Sequence, residues 1–153
     1  MAETTRRLAA AAALPTKSSI TFDNMLGPSR LVLQSVDPSS RWILPLNDLQ
    51  TGNTLTSFSL NAAIRNAATG QIQLSLGQSD GAGMMTYIGD AVMSTSNGGI
   101  AVTDRQTNLS GGDASPVVDL TQFTYVLVLS LVNSAPAPDI SDLVVPWVEY
   151  SYT

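Results

Sequence analysis

The chain has 153 residues, of which 44% are hydrophobic and only 12% are charged, about half the usual charged fraction. It contains no cysteine and no histidine. Their absence excludes disulfides, zinc–thiolate sites, Ser-His-Asp triads and proton transfer by imidazole. A chain of this length can bury a sizeable core as one domain. So few charges favour a surface that other subunits cover; a secreted β-domain is the alternative.

The charges are unevenly placed along the chain. The net charge is −5, yet five of the seven basic residues lie within the first 41 positions, whereas nine of the 12 acidic residues follow them. The five basic residues are Arg6, Arg7, Lys17, Arg30 and Arg41. This asymmetry makes them the candidate nucleic-acid-facing residues; the alternative is that they are ordinary solvated cations.

The first 17 residues are interpreted as an N-terminal arm, followed by one domain over residues 18–153. Residues 4–14 are predicted to be helical, because Ala and Leu favour helices and Pro15 ends the pattern. A helix of about eleven residues is marginal unless it docks on a neighbour. The basic and apolar stretch 6–15 superficially resembles a signal peptide, but its core is mostly Ala and Leu14-Pro15 makes a poor cleavage site, so the arm is the favoured interpretation. No segment approaches the ~20 apolar residues of a membrane span.

Beyond Pro15 the pattern predicts strands and turns. Candidate strands occupy residues 18–22, 30–36, 41–44, 55–64 and 71–76. The last of them alternates strictly, with Ile72, Leu74 and Leu76 on one face. Because a turn cluster at 66–70 separates it from the preceding strand, the two are predicted to form a hairpin.

The second half of the chain changes character twice. Residues 77–122 are rich in Gly, Ser, Asn and Asp, with short strand candidates at 84–88, 91–93 and 100–102. Two long apolar runs follow, 123–132 and 143–152, separated by a Pro-rich loop. We expect the first run to be the partner of the second. The strand count predicts an all-β fold: a two-sheet antiparallel sandwich, a jelly roll, with a short N-terminal arm or helix.

Two stretches resemble the coat proteins of small icosahedral RNA viruses, with tombusvirus-like, nodavirus-like or satellite-type shell domains. The first runs from residue 55 through the Gly70–Asp80 strand and loop. The second is the chain's ending, in which Val148, Glu149 and Tyr150 match the "valine-glutamate-tyrosine" of the last shell strand. The resemblance covers roughly a third of the chain and implies a protein that builds a shell around nucleic acid.

The resemblance also implies site residues. Related shells bind calcium between subunits through loop aspartates, which makes Asp80, Asp139 and Asp142 candidate calcium ligands; structural turns and solvated loop acids are the alternatives. The arm carries fewer cations than such coats usually do. Either the shell packs RNA sparsely, another component supplies the charge, or the domain faces outward.

Three aromatic residues are predicted to anchor the core or an interface: Trp42, Trp147 and Tyr150. The alternative is a sugar-stacking platform that includes Tyr125 and Tyr152.

The sequence therefore predicts a non-enzymatic structural protein of the virion. Its partners would be many copies of itself and viral RNA, with no membrane insertion, no small-molecule substrate and no cofactor except possible calcium. A receptor- or glycan-binding sandwich is the alternative from another class, and a hydrolase using two carboxylates is the third.

Overall fold

The structure, a computed structural model, is almost entirely β in the residues it describes. These are residues 2–9, 12–15, 31–32, 41–64, 70–93, 101–109, 114–133 and 143–153. No α-helix occurs in these ranges, and hence no helix there that could cross a membrane. The strands are β1 (Thr4–Ala9), β2 (Leu14–Pro15), β3 (Leu31–Val32), β4 (Arg41–Pro45), β5 (Leu55–Ile64), β6 (Gly70–Asp80), β7 (Met85–Tyr87), β8 (Val92–Met93), β9 (Ala101–Gln106), β10 (Phe123–Asn133) and β11 (Leu143–Tyr152).

The strands form two antiparallel sheets. The first sheet has the order β1-β11-β5-β9, with β3 also paired to β11. The second has the order β2-β4-β10-β6-β7, with β8 also paired to β6. From β4 to β6 and from β9 to β11, successive strands alternate between the sheets, and the last two strands insert between earlier ones. This is the strand order of a jelly roll, as the sequence predicted.

The core lies between the inner faces of the two sheets. Phe58, Leu60, Val148 and Tyr150 of the first sheet are at most 1% exposed. The second sheet contributes Trp42, Leu44, Ile72, Leu74, Leu76, Leu127 and Leu129, all at most 2% exposed. Along β6 and β11 these residues recur at every second position, because successive side chains of a strand point to opposite faces. The predicted alternation of Ile72, Leu74 and Leu76 is thus confirmed.

The predicted hairpin between 55–64 and 71–76 is wrong. β5 pairs with β11 and β9 in the first sheet, whereas β6 pairs with β10, β7 and β8 in the second. Alternation identifies which face of a strand is buried but does not identify its neighbour. Two strands that face each other across a core carry the same pattern as two strands of one hairpin.

The expected pairing of the two closing runs is also wrong. β10 lies between β4 and β6 in the second sheet. β11 lies in the first sheet, between β5 on one side and β1 with β3 on the other. Their apolar side chains meet across the core, so both runs are buried as predicted, but no ladder joins them.

The helix predicted over residues 4–14 is replaced at Thr4–Ala9 by β1, which pairs along its whole length with β11. Ala and Leu favour a helix only weakly when tertiary contacts compete. Here a six-residue ladder, the packing of Leu8 against the core and two ion pairs outweigh that preference. The arm boundary at residue 17 stays a prediction, since residues 16–30 are outside the described part.

The remaining strand predictions differ mainly in length. The strands over 41–44, 84–88, 91–93 and 100–102 exist as β4, β7, β8 and β9. Of the run 30–36, residues 31–32 form β3, and the strand at 18–22 lies outside the described residues.

We expect Leu74→Ala to lower the free energy of unfolding by about 2–5 kcal/mol, because it leaves a cavity between the sheets. Leu120→Ala is the matched control: Leu120 is 45% exposed, and its replacement should change stability by less than about 0.5 kcal/mol. Urea unfolding followed by tryptophan fluorescence measures both. Equal losses in the two variants would contradict the assignment of Leu74 to the core.

Candidate functional site

The outer face of the first sheet carries a row of polar side chains across four strands. Arg7 on β1 lies opposite Glu149 on β11, Glu149 lies opposite Ser59 on β5, and Ser59 lies opposite Arg105 on β9. Arg7 donates from Nε to Glu149 Oε1 at 2.8 Å, and its guanidinium lies 4.6 Å from the ring centroid of Trp147. The only carboxylate of the row is thus occupied by an arginine of the neighbouring strand.

A recess of about 160 Å³ opens along this row. Its floor consists of hydroxyl groups, among which Ser57 and Ser151 are 2% exposed. Thr5 Oγ1 lies 2.8 Å from Ser151 Oγ, and Arg105 Nη2 donates to Ser57 Oγ at 2.8 Å. These side-chain hydrogen bonds link β1 to β11 and β9 to β5. Because the groups bond to one another, the recess leaves few polar atoms for a ligand.

A second polar cluster surrounds Asp48, in the loop after β4. Tyr150 donates its phenol hydrogen to Asp48 Oδ1. Arg6 Nε lies 2.6 Å from Asp48 Oδ2, and Tyr152 OH donates to the same oxygen at 3.4 Å. The two tyrosine rings are stacked, with centroids 6.0 Å apart. Interactions with Tyr152, followed by those with Asp48, raise the pKa of Arg6.

The predicted nucleic-acid-facing residues are distributed over two sheets. Arg6 and Arg7 lie on β1 and each pairs with an acidic residue, Asp48 and Glu149 respectively. Arg41 is exposed at the start of β4 in the second sheet. Lys17 and Arg30 lie outside the described residues. A common surface formed by the five cations stays a prediction.

The candidate calcium ligand Asp80 ends β6 and shapes the turn that leads into β7. Its Oδ1 accepts hydrogen bonds from the backbone N–H groups of Ala82 at 3.0 Å and Met84 at 2.8 Å. Asp139 and Asp142 lie outside the described residues. Within the described part of the chain, no three acidic residues come together as a metal site. The geometry of Asp80 is that of a turn-forming residue, which was the alternative interpretation.

The three aromatic anchors occupy different places. Trp42 is fully buried and Tyr150 is 1% exposed, both between the sheets. Trp147 lies on the outer face of the first sheet, half-buried beneath Arg7. Trp42 and Tyr150 are therefore core residues, and Trp147 is the one available to a neighbouring molecule.

Sequence reasoning did not find Asp48, Glu149 or Asp119 as partners of specific side chains. Asp48 and Tyr150 are 102 positions apart, and Arg7 and Glu149 are 142 positions apart. Only the pairing of β1 with β11 brings these residues together. The alternation along β11 was the one available signal, since it places Glu149 and Trp147 on the same outer face.

Asp119 organises the turn that precedes β10. Its Oδ1 accepts hydrogen bonds from the N–H and the hydroxyl of Thr121, at 2.9 and 2.6 Å, and its Oδ2 accepts one from Gln122 Nε2 at 3.0 Å. The hydrogen bonds from Thr121, followed by those from Gln122, lower the pKa of Asp119. Its N–H donates to Tyr125 OH at 3.0 Å, which ties the turn to a buried ring.

The chain matches no protein-family model and no curated protein. The fold and the surfaces described above are therefore what point to a function.

We expect Tyr150→Phe to lower the free energy of unfolding by about 1–2 kcal/mol, because it removes a hydrogen bond between a buried phenol and a carboxylate. Tyr152→Phe is the matched control on the same strand and the same carboxylate. Its phenol makes a long hydrogen bond to Asp48, also interacts with Arg6, and is half-buried, so its loss should cost less than the loss of the buried Tyr150 phenol. Chemical denaturation measures the difference in unfolding free energy between the two variants. This difference should shrink when each replacement is made separately in the Asp48→Ala variant, which lacks the accepting carboxylate. A persisting difference would contradict the assigned partner.

We also expect Thr121→Val to raise the pKa of Asp119 towards its usual value, because the variant loses the hydroxyl donor but keeps the backbone N–H. Gln122→Ala should raise it less, since Gln122 contributes less to the shift. Because the pKa is lower in the folded protein, the ionised carboxylate stabilises the turn above the unfolded pKa of about 3.9. This contribution is lost as pH falls through the folded pKa. An NMR titration of the side-chain carboxyl carbon follows each variant, and an unchanged pKa in Thr121→Val would contradict the assignment.

Proposed function

We propose that this chain is a structural coat protein whose copies assemble into an icosahedral viral shell that encloses nucleic acid. The observation that carries the proposal is the strand order of the two sheets. β11 inserts between β1 and β5, and β10 inserts between β4 and β6. This jelly roll is the architecture of many viral capsid domains, and also of lectin domains and cupins. Because one fold hosts several functions, the surface must support the choice.

The distribution of charge supports assembly. Arg6 and Arg7 are neutralised within the chain by Asp48 and Glu149. Large apolar side chains are exposed elsewhere, including Leu14 at 60%, Val117 at 49% and Leu120 at 45%. Interface cores are depleted of charged residues, so a chain with few charged residues and scattered exposed apolar groups suits repeated contacts between copies.

The basic residues of the first quarter remain the proposed contact with nucleic acid. Of the five candidates, Arg6 and Arg7 are held in ion pairs, and Lys17, Arg30 and Arg41 are the three that are replaced in the test below. Few phosphate contacts per subunit imply weak and strongly salt-dependent binding of the genome. Calcium at subunit contacts is a further part of the proposal, through Asp139 and Asp142, since Asp80 is engaged in its own turn.

A receptor- or glycan-binding module is the second candidate function. The observation that favours it is a polar recess beside the exposed Tyr87 on the outer face of the second sheet.

The shell proposal predicts that the purified protein forms closed particles. Negative-stain microscopy and light scattering measure their size, and the absorbance ratio at 260 and 280 nm measures their nucleic acid content. A protein that stays monomeric across salt concentration and pH, with and without calcium, would contradict the proposal.

The proposed contact with nucleic acid has its own test. Replacing Lys17, Arg30 and Arg41 together with Gln should lower the absorbance ratio of the particles, because three phosphate contacts per subunit are lost. Arg105→Gln is the control, since Arg105 bonds to Ser57 on the first sheet and lies in the acidic part of the chain. An unchanged ratio in the triple variant would contradict the assigned surface.

A further inference from the structure

The edge of the second sheet is interrupted beside β6. β7 pairs with residues Gly77 to Ser79, and β8 pairs with Gln73 and Leu74. Between these two ladders, Ile88 N donates to Leu76 O at 2.9 Å. Residues 89–91 form a bend that belongs to neither ladder. Next to Ser75 the described sheet edge is therefore open, and a recess of about 360 Å³ lies there.

The bend that bounds this recess is fixed from behind. Gly89 has a φ of 69°, a conformation that disfavours other residues. A Cβ atom at Gly89 would lie 2.8 Å from the carbonyl oxygen of Asn108 and 3.1 Å from the Cα of Leu109. Gln106 Nε2 also donates to the carbonyl oxygen of Asp90 at 3.3 Å. Because the bend packs closely on the segment after β9, the recess is formed before any ligand arrives.

The recess presents side chains from four strands and the bend. Ser130 on β10 lies opposite both Arg41 on β4 and Gln73 on β6, so these three form one row across the outer face. Ser75 lies two positions further along β6. Tyr87, whose residue is 41% exposed, lies opposite Gly77. Asp90 completes the lining from the bend.

These groups define the chemistry of a ligand. The lining carries one carboxylate, one guanidinium, one amide and three hydroxyls, so its formal charges cancel and most of its groups both donate and accept hydrogen bonds. Within the described part of the chain, the Gln73 amide, the Tyr87 hydroxyl and the Asp90 carboxylate make no hydrogen bond. Polar groups that converge on a recess beside an aromatic ring are typical of ligand sites.

We infer that this recess binds a neutral polyhydroxylated ligand of about the size of one sugar ring. Adjacent ligand hydroxyls donate to the Asp90 carboxylate, and the Gln73 amide and Ser130 hydroxyl exchange hydrogen bonds with others. The apolar C–H face of the ligand packs on the Tyr87 ring. The volume lies at the small end of ligand pockets, which span roughly 300–1,000 Å³, and so limits the site to a single ring. This inference does not depend on shell assembly.

Saturation-transfer NMR on the full chain tests this inference. The probes are glucose, galactose, mannose and N-acetylglucosamine, each as the free sugar and as the methyl glycoside. We expect transfer to at least one sugar, with affinity reduced roughly tenfold by Asp90→Asn, since a hydrogen bond to a charged acceptor is weakened. Tyr87→Ala should abolish the transfer, whereas Tyr87→Phe, which keeps the ring, should retain it.

Met84→Ala is the matched control, because Met84 is a 69% exposed side chain in the same β6–β7 turn region but outside the recess. It should bind as the unchanged protein does, and circular dichroism checks that each variant is folded. Binding of methyl glycosides as well as free sugars would assign the ligand to the end of a glycan chain. Binding of free sugars alone would assign a free sugar, and either result supports the site.

Two results would overturn the inference: no transfer from the folded protein to any of the sugars, or transfer that survives both Tyr87→Ala and Asp90→Asn. The shell proposal fails on a different measurement, the absence of particles by microscopy. Particles that bind no sugar would overturn the site alone, and a monomer that binds sugar through Tyr87 would overturn the shell alone.

Discussion

The position of β11 within the first sheet is the constraint on which the rest of the structure depends. It has β5 on one side and both β1 and β3 on the other. Its end is also fixed, because Thr153 and Thr54 exchange two backbone hydrogen bonds of 2.9 Å. Parting this strand from the sheet would break all three of its ladders and remove Val148 and Tyr150 from the core. The final strand is thus central in space although it is last in sequence.

The two faces of β11 stabilise the protein through different interactions. On the inner face, Val148 and Tyr150 are buried, and each contributes on the order of 2 kcal/mol through removal of apolar area from water. On the outer face, Glu149 pairs with Arg7, whose side chain is 63% exposed. Such pairs contribute at most about 1 kcal/mol. The inner face therefore supplies most of the stability, while on the outer face an ion pair links β11 to β1.

Sequence reasoning predicted the class of fold and most strands, because alternation and turn chemistry are local signals. It could not predict which strands are neighbours. The pattern of β5 and β6 fits a hairpin as well as two facing strands, and only the packing of the whole core separates these arrangements. Residues 4–9 show the same limit: local preference favoured a helix, whereas β11, more than 130 positions later, provides an edge at which the segment forms a strand.

The candidate site shows that limit more strongly. Individual residues such as Trp42 and Tyr150 were recognisable as anchors, since large aromatic side chains are usually buried. The carboxylate partners Asp48 and Glu149 were not, because their roles arise from contacts across 102 and 142 positions. The row of Arg41, Ser130 and Gln73 is of the same kind. It exists only because β10 lies between β4 and β6, an arrangement that no local pattern encodes.

The two outer faces differ in how their polar groups are satisfied, and this difference bears on function. On the first sheet, Arg7, Glu149 and the serine hydroxyls bond to one another, so this face is self-contained and suits contact with another copy through packing around Trp147. On the second sheet, the interruption beside Ser75 leaves an amide, a phenol and a carboxylate directed at a preformed recess. A ligand can replace the hydrogen bonds that these groups make to water with equivalent ones. Its apolar face can at the same time pack on the aromatic ring, which favours the bound state. We therefore propose ligand recognition on the outer face of the second sheet, at a surface separate from Trp147 on the outer face of the first.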